Sequence, residues 1–113
     1  MHEMALCESL LDVIEEQASA QSFTRVRRVR LEVGPFSGVE IEALRFAFDV
    51  IVKNTLADGA ALEIIEVEGK GLCLDCNETV MIEDRLSACP ECNGTNVRVT
   101  GGYELRIKEL EVE

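Results

Sequence analysis

Four cysteines dominate the chemistry this chain could perform. Cys73-x2-Cys76 and Cys89-x2-Cys92 are two chelating pairs separated by twelve residues, a spacing that lets two tight turns converge on one ion. Four thiolates fill the tetrahedral shell of Zn(II) and leave no position for water or substrate, so the expected site is structural and not hydrolytic. Two disulfides, or a redox-active iron centre of the rubredoxin type, are the competing uses of the same residues. Pro90 and Gly94 suit tight turns around the second pair, and Val80, Met81 and Ile82 between the pairs suit one arm of a small hairpin. The remaining cysteine, Cys7, is distant in sequence and reads as a small buried core residue.

The single histidine, His2, matters through its position beside a free α-amine. The Met1 amine, the His2 backbone nitrogen and His2 Nδ1 can close successive chelate rings. Nitrogen donors in a plane suit Ni(II) or Cu(II), with the Glu3 backbone or another group in a fourth position. The bland account is a frayed terminus in which Glu3 simply faces the positive end of the following helix. Residue chemistry alone leaves both accounts open.

Composition bounds the partners. With 22 Asp and Glu against 11 Lys and Arg, the chain carries −11 at neutral pH, and thiolates around a divalent ion would add to that. Such a balance opposes nucleic acid, where affinity comes from cations displacing counterions. The short basic cluster Arg25, Arg27, Arg28 and Arg30 reads as a solvated strand face. No stretch has the roughly 18 apolar residues needed to cross a bilayer, and the N-terminus has neither a basic region nor an apolar signal core. The expected location is cytoplasmic, away from membranes, a reducing setting in which paired cysteines serve as metal ligands. No Gly-x4-Gly-Lys-Ser/Thr phosphate loop occurs, nor a nucleophile beside a general base, nor an open metal site with a second histidine, so no enzyme is expected.

The elements that must position these residues are readable in outline. Leu6, Leu10, Val13, Ile14 and Ala18 follow helical spacing, so a helix is expected from Met4 to about Ala20. Arg28 to Val33 alternates as a strand until Gly34-Pro35 stops it. Ser37-Gly38-Val39-Glu40 has the spacing of a capping box. Ile41, Leu44, Ala47, Phe48, Ile51 and Val52 behind it mark a second helix, ending near Asn54. Leu62 to Val67 reads as a short strand, with Gly69-Lys70-Gly71 as a separator before the cysteines. The tail is apolar at Tyr103, Leu105 and Ile107 and then at Leu110 and Val112, a change of face that predicts a bulge near Lys108-Glu109. Its outward acids are expected opposite the arginines of the first strand. The expected class is α+β.

Met1-His2-Glu3 at the start, Leu6-Cys7-Glu8-Ser9 on the helix after it, Leu31-Glu32-Val33-Gly34 followed by Ser37 and Val39-Glu40, and a late Cys-x2-Cys-x12-Cys-Pro-x-Cys together resemble the HypA/HybF nickel chaperones over essentially the whole chain. The resemblance implies a nickel metallochaperone for maturation of the [NiFe]-hydrogenase large subunit, working with a HypB-type nickel GTPase, some members also serving urease. It implies nickel at Met1, His2 and Glu3, and zinc at Cys73, Cys76, Cys89 and Cys92. It also implies two helices packed on a small mixed three-stranded sheet with an inserted zinc-ribbon-like module. Residues 1–67 and 99–113 would then form a discontinuous nickel-binding domain and 68–98 the zinc module, in a monomer or a homodimer. The rival function is a non-catalytic zinc-ribbon adaptor in which His2 is incidental.

Overall fold

The computed structural model describes residues 3–113; what is expected of Met1 and His2 lies outside them. The elements run α1 (Glu3–Gln21), β1 (Val26–Val33), α2 (Ile41–Ile51), β2 (Ala61–Glu66), β3 (Gly69–Cys73), β4 (Thr79–Ile82), β5 (Val97–Gly101) and β6 (Leu105–Val112). They form two three-stranded sheets, ordered β2-β1-β6 and β4-β3-β5. Among the described residues no helix is long and apolar enough to cross a membrane. The chain divides into two compact units, one of Met1–Leu31, Val39–Ile64 and Ile107–Glu113, the other of Glu32–Gly38 and Ile65–Arg106.

In the first unit, Val26, Val29 and Leu31 of β1 are buried, as are Cys7 and Ile14 of α1 and Leu44, Ala47 and Phe48 of α2. The two helices pack against each other. Helix α1 starts and ends within a residue of its expected limits, and Ser22 at φ 59° marks its end. The line it buries is Cys7 and Ile14; Val13, expected on the apolar stripe, is 45% exposed. Helix α2 departs from the expected capping box. Its N-cap is Glu40, whose side chain accepts from the Ala43 N–H. Gly38 has φ 77°, and Ser37 N–H closes a turn onto Gly34 O, which holds Ser37 outside the helix. The helix stops at Ile51, and Asn54 follows in the left-handed region at φ 64°.

The helical crossover makes β2 parallel to β1: Glu63 lies between Arg28 and Arg30, both reached at 3.3 Å. Strand β6 runs antiparallel to β1, with Glu113 paired to Arg27, Glu111 to Arg28 and Glu109 to Arg30. The outward acids therefore face the arginines as expected. Along β6, Leu105 and Ile107 are half-buried and then Leu110, so the inward face changes across two successive exposed residues, Lys108 and Glu109. The change of face falls where the sequence pattern puts it.

In the second unit, β3 pairs antiparallel with both β4 and β5. Gly69-Lys70-Gly71, expected as a separator, is instead the first half of β3. The reason is packing. A Cβ at Gly69 would lie 2.6 Å from the Phe36 ring, and one at Gly71 2.6 Å from the Val97 side chain, so glycine here admits close neighbours and does not break the strand. Phe36, Cys73, Val80, Ile82 and Cys89 form this unit's buried cluster, with Val97 and Val99 against it.

Candidate metal centre

Each cysteine pair is shaped by its own backbone. Strand β3 ends at Cys73, whose N–H donates to Glu78 O at 2.9 Å while Asn77 N–H donates to Cys73 O at 2.8 Å. The second pair repeats the pattern: Cys89 N–H donates to Gly94 O at 2.8 Å, and Asn93 N–H to Cys89 O at 2.7 Å. Asn77 and Asn93, each the residue after the second cysteine of its pair, are left-handed at φ 60° and 62°. Asparagine tolerates that conformation better than other non-glycine residues. The repeat Cys-x2-Cys-Asn was present in the sequence and is the signal that could have found these two residues.

The turns are also tied to each other. Leu74 N–H donates to Asn96 O at 2.9 Å, and Asn96 N–H reaches Asp75 Oδ2 at 3.4 Å. A Cβ at Gly94 would lie 2.3 Å from the same carboxylate oxygen, so the expected turn glycine is needed for this approach.

The four sulfurs lie within 4.8 Å of one another, with Cys73 to Cys92 at 3.6 Å and Cys76 to Cys89 at 3.8 Å. A tetrahedral ion with metal–sulfur bonds of about 2.3 Å needs sulfur–sulfur edges of about 3.8 Å. A disulfide needs about 2.05 Å, and all five cysteines are free thiols here. The donor set therefore fits one tetrahedral metal ion, with every coordination position filled by protein. Cys89 Sγ accepts from the N–H groups of Cys92 at 3.5 Å and Glu91 at 3.4 Å. These amides, Cys92 first, hold its thiol down to about 7, whereas burial pushes Cys76 up to about 12. Backbone dipoles thus favour anionic sulfur at Cys89, while Cys76 and Cys92 shift the other way.

Cys7 stands apart from this group. It is buried on α1, its S–H donates to Leu44 O at 3.7 Å, and burial first, then the charge of Glu3, raises its pKa to about 11. It is the core residue its sequence context predicts. Of the three N-terminal residues, Met1 and His2 lie outside the described residues. Glu3 opens α1, and its Oε2 accepts from the Glu40 N–H at 3.3 Å.

The family model described as hydrogenase/urease nickel incorporation, metallochaperone, HypA matches residues 1–112. The chain belongs to the HypA family. It is 54% identical over 112 residues to a hydrogenase maturation factor HypA of Xanthobacter autotrophicus, covering 99% of each chain. It is also 54% identical to that of Alkalilimnicola ehrlichii over the full length of both. The solution structure of the Ni metallochaperone HypA from Helicobacter pylori matches with a TM-score of 0.72 at 27% identity, across 99% of this chain and 97% of that one. A second solution structure of a HypA protein matches at 0.73 and 26%. The family is one of nickel metallochaperones and maturation factors, and the four-cysteine cluster is the metal-binding feature this member displays.

Proposed function

We propose that this protein is a nickel metallochaperone that takes up Ni(II) at its N-terminus and delivers it to the [NiFe]-hydrogenase large subunit during maturation, and to urease where that enzyme is present. The observation that carries the reading is the family match across residues 1–112, which includes the Met1-His2-Glu3 start. The Met1 amine and His2, through its backbone nitrogen and imidazole, supply the nitrogen donors, with Glu3 completing the motif. Nickel is cargo, and release requires ligands that an acceptor can replace singly; a chain terminus offers that more readily than a buried cage. Proton competition at the amine and imidazole, with reference pKa values of about 8 and about 6.5, makes uptake fall in mild acid.

Cys73, Cys76, Cys89 and Cys92 hold zinc in this reading. When bound, zinc cross-links the two knuckles and supplies folding free energy, with no role in hydrolysis. Residues 1–67 and 99–113 serve as the nickel-binding domain and 68–98 as the zinc module. A HypB-type GTPase supplies the nucleotide-driven step, because the chain has no phosphate loop. The chain itself is not an enzyme and works in the cytoplasm as a monomer or homodimer; neither nucleic acid nor membrane takes part.

The test is nickel titration, by absorbance and calorimetry, of zinc-loaded protein with an untagged N-terminus beside His2→Ala. Stoichiometric nickel binding lost in His2→Ala, with zinc retained in both, supports the reading. Equal binding by both, or none by either, removes the terminal site and leaves a zinc-ribbon adaptor.

A further inference from the structure

The second unit carries a surface that its own fold leaves uncovered. Pro35, Val67, Met81 and Ile82 line a groove of about 350 Å³, with Glu68 and Glu83 on its walls and no lysine or arginine among its lining residues. Both carboxylates are exposed, and neither is in any ion pair of the described residues. Met81 projects from β4, an edge strand, and is 56% exposed. A thioether side chain in that position adapts its shape to an apolar occupant.

The loop that leaves the groove at Glu83 is held in place by its own hydrogen bonds. Leu86 N–H donates to Asp84 Oδ1 at 2.8 Å, Ser87 N–H to Asp84 O at 3.2 Å, and Asp84 N–H to Ser87 Oγ at 3.2 Å. Its one cation is exposed but already engaged within the unit. Arg85 Nη2 donates to Phe36 O at 3.0 Å, and the guanidinium lies 5.7 Å from the Phe36 ring centre and 5.2 Å from that of Tyr103. Beside it the loop exposes Glu83, Asp84 and Leu86, the last 93% exposed. A leucine held in water on a fixed loop beside two acids is a preorganised apolar contact with an anionic rim.

We propose that this groove and the 83–88 loop dock a segment of a partner protein whose apolar side chains are flanked by lysine or arginine. Charge decides the occupant. A second copy of this chain would bring −11 against the same acids, and three of its clustered arginines, Arg27, Arg28 and Arg30, are already paired with Glu113, Glu111, Glu63 and Glu109. Rim charges of this kind select the partner and speed its approach more than they add affinity. The inference stands whether or not nickel is the cargo.

The zinc-loaded full chain, labelled with 15N, is titrated with two synthetic peptides that share leucine and phenylalanine positions, one lysine-rich and one glutamate-rich. The lysine-rich peptide is expected to shift the amides of Val67 to Gly69 and Met81 to Leu86 saturably, and the glutamate-rich peptide to leave them in place. Combined Glu68→Lys and Glu83→Lys should weaken that binding about tenfold, and Leu86→Ser should weaken it separately. Retained zinc and retained amide positions of Gly71 to Cys73 establish that these surface variants are folded. Shifts centred elsewhere, equal response to both peptides, or indifference to the charge reversal overturns the proposal. So do shifts of these amides on concentrating the chain alone, which would assign the surface to a second copy.

Discussion

The interior of the first unit is closed by Ile14, Val29, Leu31, Leu44 and Phe48, drawn from two helices and a strand, whereas the second closes on Phe36, Val80, Ile82 and two cysteines, Cys73 and Cys89. The first draws its interior from large apolar side chains on three elements. The second is three short strands whose central cluster consists in good part of potential metal ligands, and a core of that size falls short of what small folds need without a cross-link. We therefore expect folding of the second unit and metal binding to be one equilibrium, and the first to fold by ordinary burial.

Metal removal gives the largest expected effect. Chelation of the zinc-loaded protein, or Cys73→Ser, should abolish amide protection across β3, β4 and β5 while α1, α2 and β1 keep theirs. Residue-resolved hydrogen exchange reads both units in one sample. Equal loss in both units, or none in either, would break the contrast.

The reverse perturbation comes next. Leu44 is fully buried and Phe48 is 1% exposed, so Leu44→Ala or Phe48→Ala should destabilise the first unit by about 3–5 kcal/mol. Denaturant unfolding followed at α2 measures this, with zinc content of the native protein unchanged. A variant that loses zinc in proportion to its stability would show the two units folding as one.

The same contrast explains what was legible in the sequence. Helices and strands with strict periodicity, such as Arg28 to Val33 or Leu44 to Val52, declare themselves because one face of each meets a core. The switch of face at Lys108-Glu109 is visible for the same reason. Strand β3 was not, because Gly69 and Gly71 lack the side chains that carry a pattern; what fixes them is the approach of Phe36 and Val97, residues remote in sequence. The cap of α2 was displaced from Ser37 to Glu40 by Gly38, whose φ of 77° the capping-box spacing does not encode. The meeting of the four sulfurs follows from cysteine spacing, yet the knuckle geometry depends on Asn77 and Asn93, legible only once the repeat of Cys-x2-Cys-Asn is noticed. The N-terminal motif owed its prominence to family resemblance, since a dipeptide and a terminal amine carry no periodicity.

Those asparagines sharpen the comparison at smaller scale. Asn77→Ala and Asn93→Ala force alanine into a left-handed turn and should each cost about 1–2 kcal/mol, seen as easier zinc loss to a competing chelator. Asn77→Gly and Asn93→Gly should bind zinc at least as well, because glycine adopts that conformation freely. Equal weakening by glycine and alanine would mean that the side-chain amide, and not the backbone conformation, shapes the knuckle.

The smallest effect belongs to the charged face of the first unit. Glu63 sits 3.3 Å from both Arg28 and Arg30, but its side chain is 44% exposed and the arginines 41% and 37%, so water and salt compete for every one of these contacts. Glu63→Gln removes the charge and keeps the shape; it should lower stability by less than about 0.5 kcal/mol in dilute buffer and by nothing measurable in 1 M salt, where screening reaches about 3 Å. A loss of several kcal/mol that persists in high salt would mean that the outer face of this sheet, and not its buried face, holds the first unit together. That would place both units in the same class, each fixed by polar cross-links over a minor core. Burial of Val29 and Leu31 on the opposite side of the same strand argues for the smaller number.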